Sequence, residues 1–179
     1  LDCCLVSNGG VAVIVTSAER ARDLKQPPVY VRGFAQAHNH DAGQTGHDPL
    51  IHTAAARSGP RALDMADAKV SDVSQCQIYD CYTYTVIATL EDYGFCEKGE
   101  GGPFVADGRL GPGGALPTNT GGGELSSFYM WGMTPISEAV IQGRGQGGER
   151  QAPNELIMVS GNGGLLAYHA TLVLSPQAA

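Results

Sequence analysis

The sequence predicts an α/β fold, and three observations carry that prediction. Residues 11–16 (VAVIVT) form a continuous apolar run rich in β-branched side chains, which reads as a strand buried on both faces. From residue 82 the pattern turns helical: Tyr82, Val86 and Leu90 recur at a spacing of four, with Ile87 and Tyr93 beside them. Residues 156–159 and 165–174 read as two closing strands joined by the turn Gly161-Asn162-Gly163-Gly164.

The remaining elements follow in order. Ser17 is placed to cap a charged helix, AERARDLK, which Pro27 and Pro28 stop. Residues 29–35 read as a second strand. Residues 38–60 are polar and broken by Gly and Pro, a long loop with room for one short helix. A helix end near Asp72 leads into a short strand at residues 76–79 (CQIY). Gly94 closes the helix of residues 82–93, and a glycine-rich stretch runs from there to Gly123. Residues 133–141 form a last predicted helix, with Thr134 as N-cap, Pro135 at the first helical position and Gly143 ending it. No internal repeat or linker divides the chain, so it reads as one unit.

Composition narrows the function classes. A chain of 179 residues fits one domain with a real core. A formal net charge of −7 argues against a nucleic-acid partner, which calls for a basic face. No apolar run reaches the roughly 18 residues of a membrane span, so a membrane role is not expected. Leu1 and Asp2 begin no signal peptide, and the missing initial Met fits a piece of a longer protein. Cys3, Cys4, Cys76, Cys81 and Cys96 are odd in number and lack CxxC spacing. Reduced thiols in a cytoplasmic protein are the simplest reading.

Several motifs compete for chemistry. Gly143-x-Gly145-x-x-Gly148 matches a dinucleotide fingerprint by letter, but a helix precedes it where a strand is required, so it reads as a loop. His38, His40, Asp41, His47 and Asp48 gather metal-ligating residue types without sharing a face, and read as a solvated polar loop. His52 and His169 are isolated and read as structural. Tyr79-Asp80-Cys81-Tyr82 sits where a strand gives way to a helix, the edge of an α/β fold that active sites favour. Tyr82, Tyr84 and Tyr93 are expected to pack. Tyr79 stands at the junction itself, although local sequence alone favours packing there too. Asn119-Thr120-Gly121-Gly122-Gly123 is a glycine turn, followed by the run Phe128-Tyr129-Met130-Trp131-Gly132.

Taken together, three segments resemble the C-terminal half of a thiolase of the sterol-carrier-protein-X type. Tyr79-Asp80-Cys81-Tyr82 stands where that group has His-Asp-Cys-Phe. Asn119 to Gly123, leading to Phe128-Tyr129-Met130-Trp131-Gly132, stands where it has Asn-x-x-Gly-Gly leading to Gly-His-Pro-x-Gly. Ser160-Gly161-Asn162-Gly163-Gly164 stands at the closing glycine turn, with Ser160 in place of a catalytic Cys. The resemblance runs from Asn8-Gly9-Gly10 almost to the end and is loosest between His38 and Asp67. It implies a thiolase-like fold of αβαβα layers, with residues 1–179 mostly its C-terminal half and the start of the chain the last strand of the N-terminal half.

The departures are chemical. Both polarising His positions hold tyrosine, which is similar to the lipid-transfer-protein-type steroid side-chain aldolases. The resemblance then implies retro-aldol cleavage of a β-hydroxyacyl-CoA, with a 17-keto-steroid type ketone and propionyl-CoA as products. It implies Tyr79 and Tyr129 as catalytic residues, and Asn119, Gly122, Gly123 and Gly163 as substrate-binding residues. Tyr129 is preferred as base and Tyr79 as the carbonyl or enolate partner, provided that neighbours lower the tyrosine pKa. Coenzyme A is part of the substrate, and no separate cofactor or metal is expected. The partners implied are an acyl-CoA substrate, an OB-fold hydratase-associated protein and a second copy in a homodimer within a larger complex. Rival readings are a thiolase or acyltransferase with an altered site, a non-catalytic subunit that binds CoA esters, and a metal protein built on His38, His40 and His47.

Overall fold

The computed structural model describes residues 2–39, 51–164 and 166–178. Four strands form one mixed sheet: β1 (Tyr30–His38), β2 (Gln75–Gln77), β3 (Ile157–Gly163) and β4 (Tyr168–Ser175), in the order β1-β4-β3-β2. β4 runs antiparallel to both β1 and β3, whereas β2 is parallel to β3. The parallel pair requires a crossover, and the chain between β2 and β3 supplies it with four helices: α3 (Thr83–Tyr93), α4 (Gly101–Val105), α5 (Gly123–Ser126) and α6 (Met133–Gly143).

Alternation along the strands divides the core into two faces. Met158 and Val173 point to one face, where they join Ala62 and Leu63 of helix α2 (Ala55–Met65) and Leu90 and Tyr93 of α3. Ile157, Val159 and Leu174 point to the other and pack with Ala139 of α6. The result is a helix–sheet–helix sandwich, and β2 delivers the chain to its rim at Tyr79.

Several expectations hold. Helix α3 ends at Gly94, whose φ of +84° is the left-handed cap that glycine accepts without strain. Helix α6 is present, although Gly132 occupies the N-cap. Thr134 instead works backwards: its hydroxyl donates to Phe128 O and accepts from the Met130 amide. The fingerprint-like glycines 143–148 lie between α6 and a 3₁₀ turn at Gly148–Arg150, with no strand before them.

Other expectations are corrected. Residues 11–16 are not a buried strand; Ile14 and Val15 are 86% and 85% exposed. The run has no ladder partner among the described residues, and apolar β-branched side chains cannot make a sheet alone. The capped helix after Ser17 is a single turn, α1 (Ala18–Ala21). The expected loop of residues 38–60 has room for a short helix, and an eleven-residue helix, α2, begins in it at Ala55 and runs beyond it to Met65 despite the internal Pro60. Its inward face of Ala55, Ser58, Gly59, Ala62 and Leu63 is buried against the sheet, so packing overrides the breaker while Pro60 faces solvent. Gly161, Asn162 and Gly163 belong to β3 and pair with Ala170, His169 and Tyr168; the reversal lies beyond them. Tyr82 and Tyr84 do not pack inside; they are 47% and 38% exposed. Tyr93 and His169 do, joined by a 2.8 Å hydrogen bond.

Candidate active site

The site is built at the end of β2. The Cys76 carbonyl accepts from the Asn119 amide, and the Asn119 side chain then grips Ile78 twice. Its Oδ1 accepts from Ile78 N at 2.7 Å and its Nδ2 donates to Ile78 O at 2.9 Å. This fixes the strand end one residue before Tyr79. The Tyr79 amide donates to Ser160 Oγ at 3.0 Å, and the Tyr79 carbonyl accepts from Thr85 Oγ1 at 3.1 Å. The ring is therefore held from the sheet on one side and from the start of α3 on the other.

The second arm comes from the glycine turn. Gly122 and Gly123 have φ values of +93° and +61°, and a Cβ on Gly123 would collide with the Asp80 carboxylate. The turn aims the Glu124 amide at Asp80 Oδ1, 2.7 Å away. Helix α5 then leads to Tyr129, whose amide donates to Ser7 Oγ at 3.2 Å. The two hydroxyls meet: Tyr79 Oη and Tyr129 Oη are 2.9 Å apart, with the rings edge-on and 6.4 Å between centroids.

Both phenols are pushed above their ordinary pKa. For Tyr79 the cause is burial, followed by the hydrogen bond with Tyr129 and the nearby Glu124. Burial also raises Tyr129, and its hydrogen bond with Tyr79 offsets part of that. The expected lowering is thus reversed, because burial dominates and no cation among the described residues offsets it. Both phenols are therefore neutral at ordinary pH, and Tyr129 is the less buried of the two.

The expected site residues separate into two groups. Asn119, Gly122 and Gly123 line a pocket of about 510 Å³ together with Asp80, Glu138 and Arg150. Tyr79 and Tyr129 are not in its lining, although their chain neighbours Asp80 and Phe128 are. Gly163 stands apart in the β3–β4 hairpin and does not line that pocket. Sequence reasoning did not single out Glu124, Ser7 or Cys4. The Cys4 amide donates to Cys81 O, which ties the N-terminal segment to this junction. The one signal for Glu124 is an acid inside the glycine turn, directly before Leu125.

His38 packs edge-on against Tyr168, and His40, Asp41, His47 and Asp48 lie outside the described residues. Among the described residues no group of three or more His, Cys, Asp or Glu is placed to hold a metal ion. All five cysteines are free. No helix among the described residues is long and apolar enough to cross a membrane.

A family model for thiolase C-terminal domain-like proteins matches residues 35–176. The chain belongs to this family. It is 40% identical over 156 residues to a steroid side-chain-cleaving aldolase of Thermomonospora curvata, covering 81% of this chain and 38% of the relative. It is 38% identical over 178 residues to a 17-hydroxy-3-oxo-4-pregnene-20-carboxyl-CoA lyase of Mycobacterium tuberculosis, covering 92% of this chain and 44% of that protein. The solved structure of an Ltp2–ChsH2(DUF35) aldolase superposes with a TM-score of 0.89 at 35% identity, over 97% of this chain and 46% of that one. The chain spans less than half the length of these relatives. Its α/β sheet is that of the thiolase C-terminal domain.

Proposed function

We propose that this chain is the C-terminal half of a retro-aldolase that cleaves a β-hydroxyacyl-CoA, a steroid side-chain thioester, to a 17-keto-steroid type ketone and propionyl-CoA. The observation that carries the reading is the 2.9 Å contact between the Tyr79 and Tyr129 hydroxyls, at the two positions where the resembled thiolases hold polarising histidines. The names of the 40% and 38% identical relatives support the reaction class and the steroid substrate.

The chemistry needs no acyl-enzyme. A thiolase traps an acyl group and requires a thiolate, whereas a retro-aldol cut expels a ketone directly. The Cα–Cβ bond breaks in one concerted relay. Its electron pair delocalises into the thioester as an enolate, and Tyr79 gives its proton to Cα while taking that of Tyr129. Tyr129, left with phenolate character, takes the proton of the substrate β-hydroxyl as the β-carbon becomes a ketone. Two neutral tyrosines in hydrogen-bond contact thus shuttle one proton and finish with the protons they began with. This assigns Tyr129 as base and Tyr79 as the partner of the enolate. Ser160 stands where the resemblance has a catalytic Cys, and its hydroxyl accepts from the Tyr79 amide. Asn119, Gly122 and Gly123 border the substrate; Gly163 would reach it only from the hairpin.

Under the same reading, the start of the chain belongs with the N-terminal half, and that half covers the exposed Ile14 and Val15, which have no strand partner among the described residues. An OB-fold protein is the expected partner, supported by the DUF35 component named for the superposed aldolase. A homodimer completes the assembly, with coenzyme A present only as part of the substrate. The test is product analysis of the full-length protein with its partner. Mass spectrometry should detect ketone and propionyl-CoA in equal amounts from a β-hydroxyacyl-CoA. Trapping of a labelled acyl-cysteine during turnover would return the protein to the thiolases.

A further inference from the structure

Glu124 is the most deeply buried acid of the site, with no exposed surface. Neither carboxyl oxygen has a hydrogen-bond partner among the described residues. An ionised carboxylate in that position would be uncompensated, which is costly. Asp80, on the strand-to-helix junction, is its neighbour, and the two acids compete for one negative charge. The backbone decides the competition. Asp80 accepts the amides of Glu124 at 2.7 Å and Leu125 at 3.4 Å, which favours its anion, while Glu124 accepts none. The proton belongs on Glu124.

From this geometry we infer that Glu124 is a positioning residue, held as a neutral carboxylic acid to keep a second negative charge away from the Tyr79–Tyr129 pair. The inference rests on the aldolase reading for its catalytic meaning, but not for its electrostatic content. The titratable groups that sense Glu124 come from three segments: Tyr79, Asp80 and Cys81 at the end of β2, Tyr129 after α5, and Cys4 near the start of the chain. Each of the two tyrosines is harder to ionise when Glu124 carries charge. Burial and the Asp80 charge push the Glu124 carboxyl up to about 8. Below that pH the acid is neutral. Above it the carboxylate forms, and the negative charge that develops on the tyrosines during the proton shuttle is opposed.

The experiment uses the full-length protein and two readouts. The first needs no substrate: the near-ultraviolet tyrosinate signal is titrated in the wild type, in Glu124→Gln and in the apolar Glu124→Met. Removing the charge should lower the midpoint of the tyrosine pair by about one pH unit, a tenfold change in phenolate at a given pH. The difference should vanish in a Tyr79→Phe/Tyr129→Phe background. Infrared titration of the wild type should show a protonated carboxyl band lost as pH passes about 8. This holds whether or not the variants fold. The second readout is kcat against pH. The wild type should fall about tenfold in total as pH passes about 8 and then level off, and Glu124→Gln should lack that step. Unchanged tyrosine midpoints, or no carboxyl titrating in that range, overturn the inference. Shifted midpoints in a protein that forms no ketone would instead overturn the aldolase reading and leave the inference standing.

Discussion

Two tyrosine networks lie in this domain, one closed and one open. Tyr93 is sealed between α3 and the sheet, its hydroxyl bonded to His169 Nε2 and Thr171 Oγ1, both at 2.8 Å, with Ser58 completing the group on Thr171. Tyr79 has the same residue type and a pKa also raised by burial, yet among the described residues its hydroxyl bonds to Tyr129 alone. A raised pKa therefore does not tell the two tyrosines apart. What separates the two is unused hydrogen-bonding capacity: a phenol can accept and donate, and Tyr93 has committed both. The closed network holds α2, α3 and β4 together, and under the proposed function the open one keeps hydrogen-bonding capacity for a substrate.

That contrast can be broken from either side, and the open network should show the larger effect. Tyr129→Phe removes one hydroxyl and no ring, so kcat on a β-hydroxyacyl-CoA should fall about 10²–10⁴-fold while the melting temperature stays near wild type. Tyr79→Phe should follow the same direction. Full activity in both variants would sink the tyrosine mechanism. The closed network should respond the opposite way. Tyr93→Phe leaves His169 and Thr171 short of a buried partner and should cost about 1–3 kcal/mol of stability, read by denaturant unfolding, with the chemistry of the remaining folded protein preserved.

The closed network should also show a pH dependence. Burial pushes His169 down to about 3, from 6.5 in an unfolded chain. Between those values the unfolded state binds a proton that the native state refuses. Stability contributed by neutral His169 is thus fully present above about pH 6.5 and is lost progressively as pH falls towards about 3. His169→Gln should flatten the acid limb of a melting-temperature profile across that window; an unchanged limb would show that His169 does not control it.

Much of this architecture was legible because local signals agreed with the fold. The spacing of Val86 and Leu90 and the stop at Gly94 found α3, and the Pro135 and Gly143 punctuation found α6. Tyr79 and Tyr129 emerged together from motif order: the strand-to-helix junction marked the position of Tyr79 but local sequence alone favoured packing there, and nothing local marked Tyr129. Helix α2 was hidden because its buried face is small and its middle holds Pro60, so its stability comes from the sheet it covers. Glu124 was hidden for another reason: its burial depends on Asp80, Tyr79 and Tyr129 converging around it. The buried strand expected at residues 11–16 failed because a run of β-branched residues specifies the need for a sheet, not where that sheet is.

The spans bridged by the site's contacts also set the order in which it can exist. The β3–β4 hairpin closes between near neighbours in the chain, with Gly163 opposite Tyr168. The Tyr79 amide meets Ser160 across 81 residues, and the Tyr129 amide meets Ser7 across 122. Loop closure is harder over such distances, so the hairpin is free to zip early and the tyrosine pair is seated late. On the ribosome, both tyrosines leave the exit tunnel before Ser160 does. A nascent chain therefore carries both tyrosines for some time before it owns the strand that holds Tyr79 in place.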